Sequence, residues 1–104
     1  MLFLALYETP IEKLDAAIAK RLEWDVAQPE TMKVLGEWVQ HGGGATVRGA
    51  LVFETEDPGD VQALVLFYGT AVSFDVRAAS DVASALARAT EQAGLPAPRG
   101  TPRT

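Results

Sequence analysis

The side chains best suited to chemistry lie on a predicted hairpin around the three glycines at 42–44. His41 is the only histidine, and histidine is the side chain whose ordinary pKa suits proton transfer near neutral pH. If the glycines form the loop, Trp38 faces Arg48 across the hairpin. A guanidinium over an indole would contribute about 0.5–2 kcal/mol, but Trp and Arg are also common in subunit interfaces. We favour an interface for this pair and a solvated turn for His41.

Two further aromatic residues could line a cavity. Tyr7 lies late in the first predicted strand, and Trp24 lies near the end of the first predicted helix. Both places border the space between a sheet and its covering helices, although an ordinary core is the simpler interpretation of both residues. The candidate ligand-binding residues are therefore Tyr7, Trp24, Trp38, His41 and Arg48, and no catalytic residue is assigned.

Metal and cofactor sites are not expected. The chain has no cysteine, and therefore no thiolate ligand or nucleophile. Glu37 shares a strand face with His41 but lies four residues away, roughly 13 Å, which is too far for one shared metal. An acidic cluster surrounds a predicted helix start, where negative charge is stabilising, and it lacks the pattern of a calcium loop. It consists of Glu54, Glu56, Asp57 and Asp60.

His41 and the glycines after it are similar to the oxyanion-hole motif of some esterases. That motif works with a nucleophilic serine in G-x-S-x-G, which this sequence lacks. A phosphate loop would need Lys-Ser or Lys-Thr after the glycines, and neither follows. The glycine run therefore predicts neither a hydrolase nor a nucleotide site.

Composition and charge exclude several classes of partner. At 104 residues, nearly half of them apolar, the chain is long enough for one globular domain. Its net charge of −5 opposes binding to a phosphate backbone. The apolar run from Met1 to Tyr7 lacks the features of a signal peptide and is far too short to span a membrane. We expect a cytoplasmic protein with no nucleic-acid or membrane partner.

The order of local signals predicts a βαββαβ chain with an extra C-terminal helix. Helices are expected to begin at Thr9-Pro10, Asp57-Pro58 and Ser80-Asp81, each of which is a capping signal. Short apolar or alternating runs predict strands over 2–7, 34–40, 46–53 and 73–78. This is the ferredoxin-like α+β fold with an antiparallel sheet. One domain is expected over residues 1–94, followed by a flexible tail over 95–104.

Both faces of the first predicted strand are apolar. Its six residues from Leu2 to Tyr7 are all apolar, so alternation places apolar side chains on both sides of the sheet. The first two helices can cover only one side. We therefore predict a homodimer that pairs through the other sheet face.

Three segments of the chain resemble a known family. They are MLFLALYE at the start, Gly36–Val39 in the second strand, and FETEDPGDVQALVLFYGTAVSFDV at 53–76. Over residues 1–79 the chain is similar to DUF3303, a small bacterial family of unknown function in the dimeric α/β-barrel group of ferredoxin-like domains. The resemblance implies this fold and a dimer. The wider group includes cofactor-free monooxygenases, muconolactone isomerases, haem enzymes and ligand-sensing domains. The resemblance therefore indicates a particular reaction only weakly.

Two classes of function remain open. The first is a small homodimeric protein that binds a hydrophobic or aromatic ligand and uses no cofactor. The alternative is a cofactor-independent monooxygenase or isomerase that acts on a small aromatic metabolite. In that enzyme Arg48 would steady an enolate or phenolate, and His41 would transfer protons. The enzyme hypothesis requires a pocket of about 300 Å³ or more between the helices and the sheet.

Overall fold

A computed structural model describes residues 1–40 and 43–94 of the chain. The elements are β1 (Leu2–Pro10), α1 (Leu14–Ala27), β2 (Lys33–Val39), β3 (Thr46–Glu54), α2 (Pro58–Tyr68), β4 (Ser73–Ala79) and α3 (Val82–Gln92). The predicted order of strands and helices is confirmed. His41 and the tail over 95–104 lie outside the described residues, so the domain boundary at residue 94 stays a prediction.

The four strands form one antiparallel sheet in the order β2-β3-β1-β4. β1 lies between β3 and β4, and β2 extends the sheet beyond β3. The face that α1 and α2 cover, here the inner face, carries Ala5, Tyr7, Leu51 and Phe53. The opposite, outer face carries Leu4, Leu6, Trp38, Arg48 and Val52. This is the predicted ferredoxin-like α+β fold.

The hairpin between β2 and β3 is paired two residues away from the predicted register. Trp38 lies opposite Ala50 and not opposite Arg48, while the Gln40 N–H donates to the Arg48 carbonyl at 2.8 Å. β2 ends at Val39 and β3 begins at Thr46, and the Ala45 carbonyl just before β3 accepts the Ile11 N–H at 2.9 Å. The predicted register is therefore wrong. An even shift still leaves Trp38 and Arg48 on one face of the sheet.

A β-bulge at Leu35 changes which residues of β2 point inward. Val34 lies opposite Phe53, whereas Gly36 lies opposite Val52, so the bulge takes up one extra residue. Strict alternation from the outward-facing Trp38 would place Leu35 on the inner face, but Leu35 is half exposed. Val34 borders the space under the helices in its place.

The first helix does not begin with the predicted capping box. The Thr9 hydroxyl donates to the Ala71 carbonyl in the interior, so it is not available to cap a helix. β1 continues to Pro10, a 3-10 turn covers Ile11–Lys13, and α1 follows at Leu14. A tertiary hydrogen bond has taken the place of the local one.

Both ends of α2 follow the sequence signals. Asp57 Oδ1 accepts the Gly59 N–H at 2.9 Å, and Pro58 occupies the first helical position. Gly69 ends the helix with φ of +57°, a conformation that favours glycine. Leu64 of this helix is fully buried in the core. Among the described residues, Phe53 of the inner face is the other large side chain that is fully buried.

α3 stands apart from that core. It begins at the predicted cap, where Asp81 Oδ1 accepts the Ser84 N–H at 2.8 Å. None of its residues is buried, and Val82 and Leu86 remain 73% and 46% exposed. The third helix therefore adds little to the packing between α1, α2 and the sheet.

Asp60 in the first turn of α2 holds a buried polar network. The sequence pattern predicts only a favourable interaction with the helix dipole. Its side chain is instead buried, and Oδ2 accepts the hydroxyls of Thr31 and Thr55, both at 2.6 Å. These two bonds join the segment before β2 to the end of β3.

Replacing Asp60 by Ala is expected to lower the free energy of unfolding by about 2–3 kcal/mol, because two hydrogen bonds to a buried carboxylate are lost. Urea denaturation measures the change. Glu30→Ala, which removes an exposed carboxylate beside Thr31, is the control and should stay within about 0.5 kcal/mol of the parent. Equal losses for the two variants would contradict the network's role.

Candidate functional site

A cavity of about 600 Å³ lies between the inner face of the sheet and the two helices α1 and α2. Its wall is mainly apolar, with a small number of polar side chains. The apolar part comprises Leu14, Ala17, Ile18, Val34, Val39, Val47, Leu51, Leu64, Val72 and Phe74, and the other lining residues are Tyr7, Thr9, Arg21, Trp24, Gln28, Glu37 and Tyr68. Ligand sites in proteins commonly have this size and this mixture of surfaces.

Three of the polar residues form one hydrogen-bonded network. Arg21 of α1 donates to Glu37 Oε1 from Nε at 3.2 Å and from Nη2 at 2.8 Å. The Tyr7 hydroxyl donates to the other carboxylate oxygen, Oε2, at 3.1 Å. Arg21 Nη1 also donates to Asp25. The network joins α1, β1 and β2, and the hydrogen bonds that Arg21 donates to Glu37 raise the pKa of its guanidinium above the ordinary value.

Tyr7 reaches Glu37 across the backbone of β3. Tyr7 lies opposite Gly49, and a Cβ built on Gly49 would be 2.4 Å from the Tyr7 ring and 2.6 Å from the Trp38 carbonyl oxygen. Both separations are too short for a real Cβ. Because Gly49 has no side chain, the Tyr7 ring can lie close to β3 and point its hydroxyl at Glu37 on β2.

Both tyrosines of the cavity stay protonated over the physiological range. Desolvation by burial raises the pKa of Tyr7 to about 12, and the negative charge of Glu37 and its hydrogen bond add to the effect. Burial likewise raises the pKa of Tyr68 to about 12, although the charge of Arg21 opposes it. Each tyrosine can therefore donate a hydrogen bond but cannot act as a base near neutral pH.

Trp24 forms a buried part of the wall. It is 4% exposed, and its ring lies 5.1 Å from that of Phe67 and 6.3 Å from that of Tyr68. Its Nε1 is buried and has no hydrogen-bond acceptor within the described part of the chain. An unsatisfied buried N–H of this kind costs about 1–3 kcal/mol.

The structure divides the sequence-predicted candidates between two places. Tyr7 and Trp24 line the cavity. Trp38 lies on the outer face, 61% exposed, with its ring over Gly36. Arg48 is also on the outer face, where its Nε lies 3.3 Å from Glu8. His41 lies outside the described residues.

Sequence reasoning did not single out Arg21, Glu37 or Tyr68. Arg21 follows Leu14, Ala17 and Ile18 at the spacing of one helical face, and Glu37 lies between Gly36 and Trp38 on β2. A charged residue at an inward position usually has a partner. The opposite charges of Arg21 and Glu37, on a helix and a strand that pack together, were therefore the available signal for this network.

Among the described residues, the cavity wall holds no cluster of metal-ligating side chains. In the ranges 1–40 and 43–94, no group of three or more His, Asp or Glu side chains is placed to hold a metal ion. No helix in those ranges is long and apolar enough to cross a membrane. The arrangement offers an apolar volume, two tyrosine hydroxyls, and a carboxylate that is held in place by Arg21.

Comparison with protein families assigns the chain. The model of the domain of unknown function DUF3303 matches residues 1–93. The chain belongs to the DUF3303 family. The resemblance seen in the sequence is confirmed, and the match runs through α3, which the resemblance over residues 1–79 had left out. No curated protein matches this DUF3303 sequence.

A solved structure supports the fold of the DUF3303 chain. The C-terminal domain of the MgtC protein from Mycobacterium tuberculosis, determined in solution, has a TM-score of 0.52 at 8% identity, and the alignment covers 78% of this chain and 92% of that domain. This similarity supports the ferredoxin-like fold alone. A formyltetrahydrofolate deformylase from Pseudomonas putida KT2440 has a TM-score of 0.47 at 11% identity, and the alignment covers 76% of this chain and 29% of the deformylase. The lower TM-score of the deformylase does not support a shared fold.

The stability of this DUF3303 protein is expected to fall as pH rises from about 10 to about 12. The folded state holds the pKa of Tyr7 and Tyr68 near 12, whereas tyrosines of the unfolded chain ionise near 10. The unfolded state therefore loses protons first, and alkaline conditions favour it. Urea denaturation across this pH range measures the slope, which Tyr7→Phe/Tyr68→Phe should reduce.

Absorbance provides the direct check, because Tyr7 and Tyr68 are the only tyrosines in the chain. Tyrosinate absorbance of the folded protein should develop well above pH 10. A midpoint at the ordinary tyrosine value would contradict the burial of both hydroxyls.

Proposed function

We propose that this DUF3303 protein binds a small, mainly apolar ligand in the cavity between α1, α2 and the inner face. The observation that carries the proposal is the cavity itself, about 600 Å³ with a largely apolar wall. A ligand with a hydrophobic or aromatic body would gain dispersion contacts with this wall.

Tyr7 and Trp24 are the proposed ligand contacts among the sequence-predicted residues. Both residues line the cavity, and aromatic rings favour stacked or edge-on packing with an aromatic ligand. The tyrosine hydroxyls add polar groups that can orient a bound molecule.

The monooxygenase or isomerase alternative gains no specific support. Its proposed electrophile, Arg48, is on the outer face and paired with Glu8, away from the cavity lining. Its proposed proton carrier, His41, lies outside the described residues. Binding is therefore the function that the geometry favours.

Ala17→Phe is expected to abolish ligand binding while the protein stays folded. Ala17 lines the cavity, so a phenyl group there would occupy the volume that a ligand needs. The test is an NMR titration and a thermal shift with ethylbenzene and p-ethylphenol, since a ligand of the native state raises the melting temperature.

Ala16→Phe is the matched control, because it adds the same side chain to an exposed position of the same helix. It should bind the probes as well as the parent does. The proposal is wrong if neither probe affects the parent protein, or if Ala17→Phe binds both probes with unchanged affinity.

We also propose that two copies pair through the outer face. Leu4, Leu6 and Trp38 are 36%, 50% and 61% exposed there. Leu4 lies opposite Val52, and both Leu6 and Trp38 lie opposite Ala50, so the apolar surface is continuous over three strands. Contiguous apolar surface of this kind marks an interaction site in a soluble protein.

The charges around this surface favour a second copy as the occupant. Arg48 is paired with Glu8 at 3.3 Å, Arg77 with Asp75 at 3.1 Å, and Lys33 with Glu54 at 3.9 Å. Because each charge has an opposite charge beside it in the same chain, an identical face can approach without an uncompensated like charge. The apolar centre and polar edge match the usual anatomy of an interface.

Leu6→Glu is expected to convert the dimer to a monomer, because it places a carboxylate of each copy in the apolar centre. Light scattering after size-exclusion chromatography at micromolar concentration measures the mass. Leu66→Glu makes the same change at an exposed position of α2, where Leu66 is 69% exposed, and should remain dimeric. A monomeric parent protein, or a dimeric Leu6→Glu, would overturn the proposal.

A further inference from the structure

Arg21, the one cation among the described residues that line the cavity, is already paired. Arg21 donates two hydrogen bonds to Glu37 and one to Asp25. Its single positive charge therefore faces two carboxylates, and the three groups together carry one negative charge. An anionic ligand would have to displace Glu37 from Arg21 or lie beside it, and both arrangements bring like charges together.

The Glu37 carboxylate keeps one acceptor position for a ligand. A carboxylate has about four lone-pair sites. Oε1 accepts two N–H groups of Arg21, whereas Oε2 accepts, from the residues that the structure describes, the Tyr7 hydroxyl alone at 3.1 Å. Since Glu37 is also part of the cavity wall, the second site on Oε2 is the natural partner for a donor on the ligand.

The Tyr68 hydroxyl is a donor in the same wall. Burial keeps it protonated, and it lines the cavity together with Glu37. A ligand hydroxyl can donate to Glu37 and also accept from a group such as this one. An ammonium group has three N–H donors to satisfy and no lone pair to offer, and the apolar wall penalises its charge.

We propose that the cavity selects a neutral, largely apolar molecule with a hydroxyl group, of the phenol or alcohol class, over a carboxylate or an ammonium compound of the same shape. This inference rests on the proposed ligand-binding function. Glu37 is the residue that makes the selection, and Arg21 and Tyr7 hold its carboxylate in position.

Three shape-matched probes test the selection at neutral pH by calorimetry. They are p-ethylphenol, p-ethylbenzoate and p-ethylbenzylamine. The parent protein should bind the phenol about tenfold or more tightly than either charged compound, which corresponds to one charge-assisted hydrogen bond. Glu37→Gln should narrow the preference for the phenol over p-ethylbenzoate, because the amide removes the negative charge that repels the benzoate.

Glu8→Gln is the matched control, since it makes the same change on the outer face and should leave the ranking of the probes intact. The order of the three probe affinities in the parent protein tests the selection for a neutral hydroxyl compound even if Glu37→Gln does not fold. Tighter binding of p-ethylbenzoate or p-ethylbenzylamine that Ala17→Phe abolishes would overturn this inference and leave the ligand-binding function standing. Failure of every probe, ethylbenzene included, would overturn both.

Discussion

Hydrogen bonding of β1 along both of its edges is the constraint on which the rest of the structure depends. A strand paired on two sides has only its two faces left for side chains, and alternation then divides those side chains strictly. Phe3, Ala5 and Tyr7 face the helices, whereas Leu4 and Leu6 face outward. The same strand therefore supplies a wall of the cavity and the centre of the exposed apolar surface. A one-residue change of register at β1 would move its cavity-facing side chains to the outer face and its outward-facing side chains to the cavity.

Ala17 of α1 leaves room for the cavity under that helix. Ala17 is buried and lines the cavity, and its methyl group fills little of the space between helix and sheet. Larger side chains form the rest of that wall, where Trp24 packs against Phe67 and Tyr68. A cavity of about 600 Å³ is therefore a place where a bound apolar molecule would add packing contacts.

Sequence patterns predicted the elements whose signals are local. Asp57 and Gly69 bound α2 in both sequence and structure because a cap and a left-handed glycine act within one helical turn. Thr9 shows the limit, since a buried carbonyl from a residue 62 positions away takes its hydroxyl. The bulge at Leu35 has no distinct local pattern. The pairing of Arg21 with Glu37 depends on how α1 lies over β2, which requires the fold first.

The exposure of the Arg21–Glu37 pair separates its proposed role in recognition from a role in folding. The two side chains are 43% and 24% exposed, so the pair is partly solvated, unlike the fully buried Phe53 and Leu64. Solvent screening limits such a pair to about 1 kcal/mol of stability. A bound ligand changes this balance, because it excludes water from Glu37 and strengthens every electrostatic interaction around the carboxylate. The charge of Glu37 therefore matters more to the occupied cavity than to the folded chain alone.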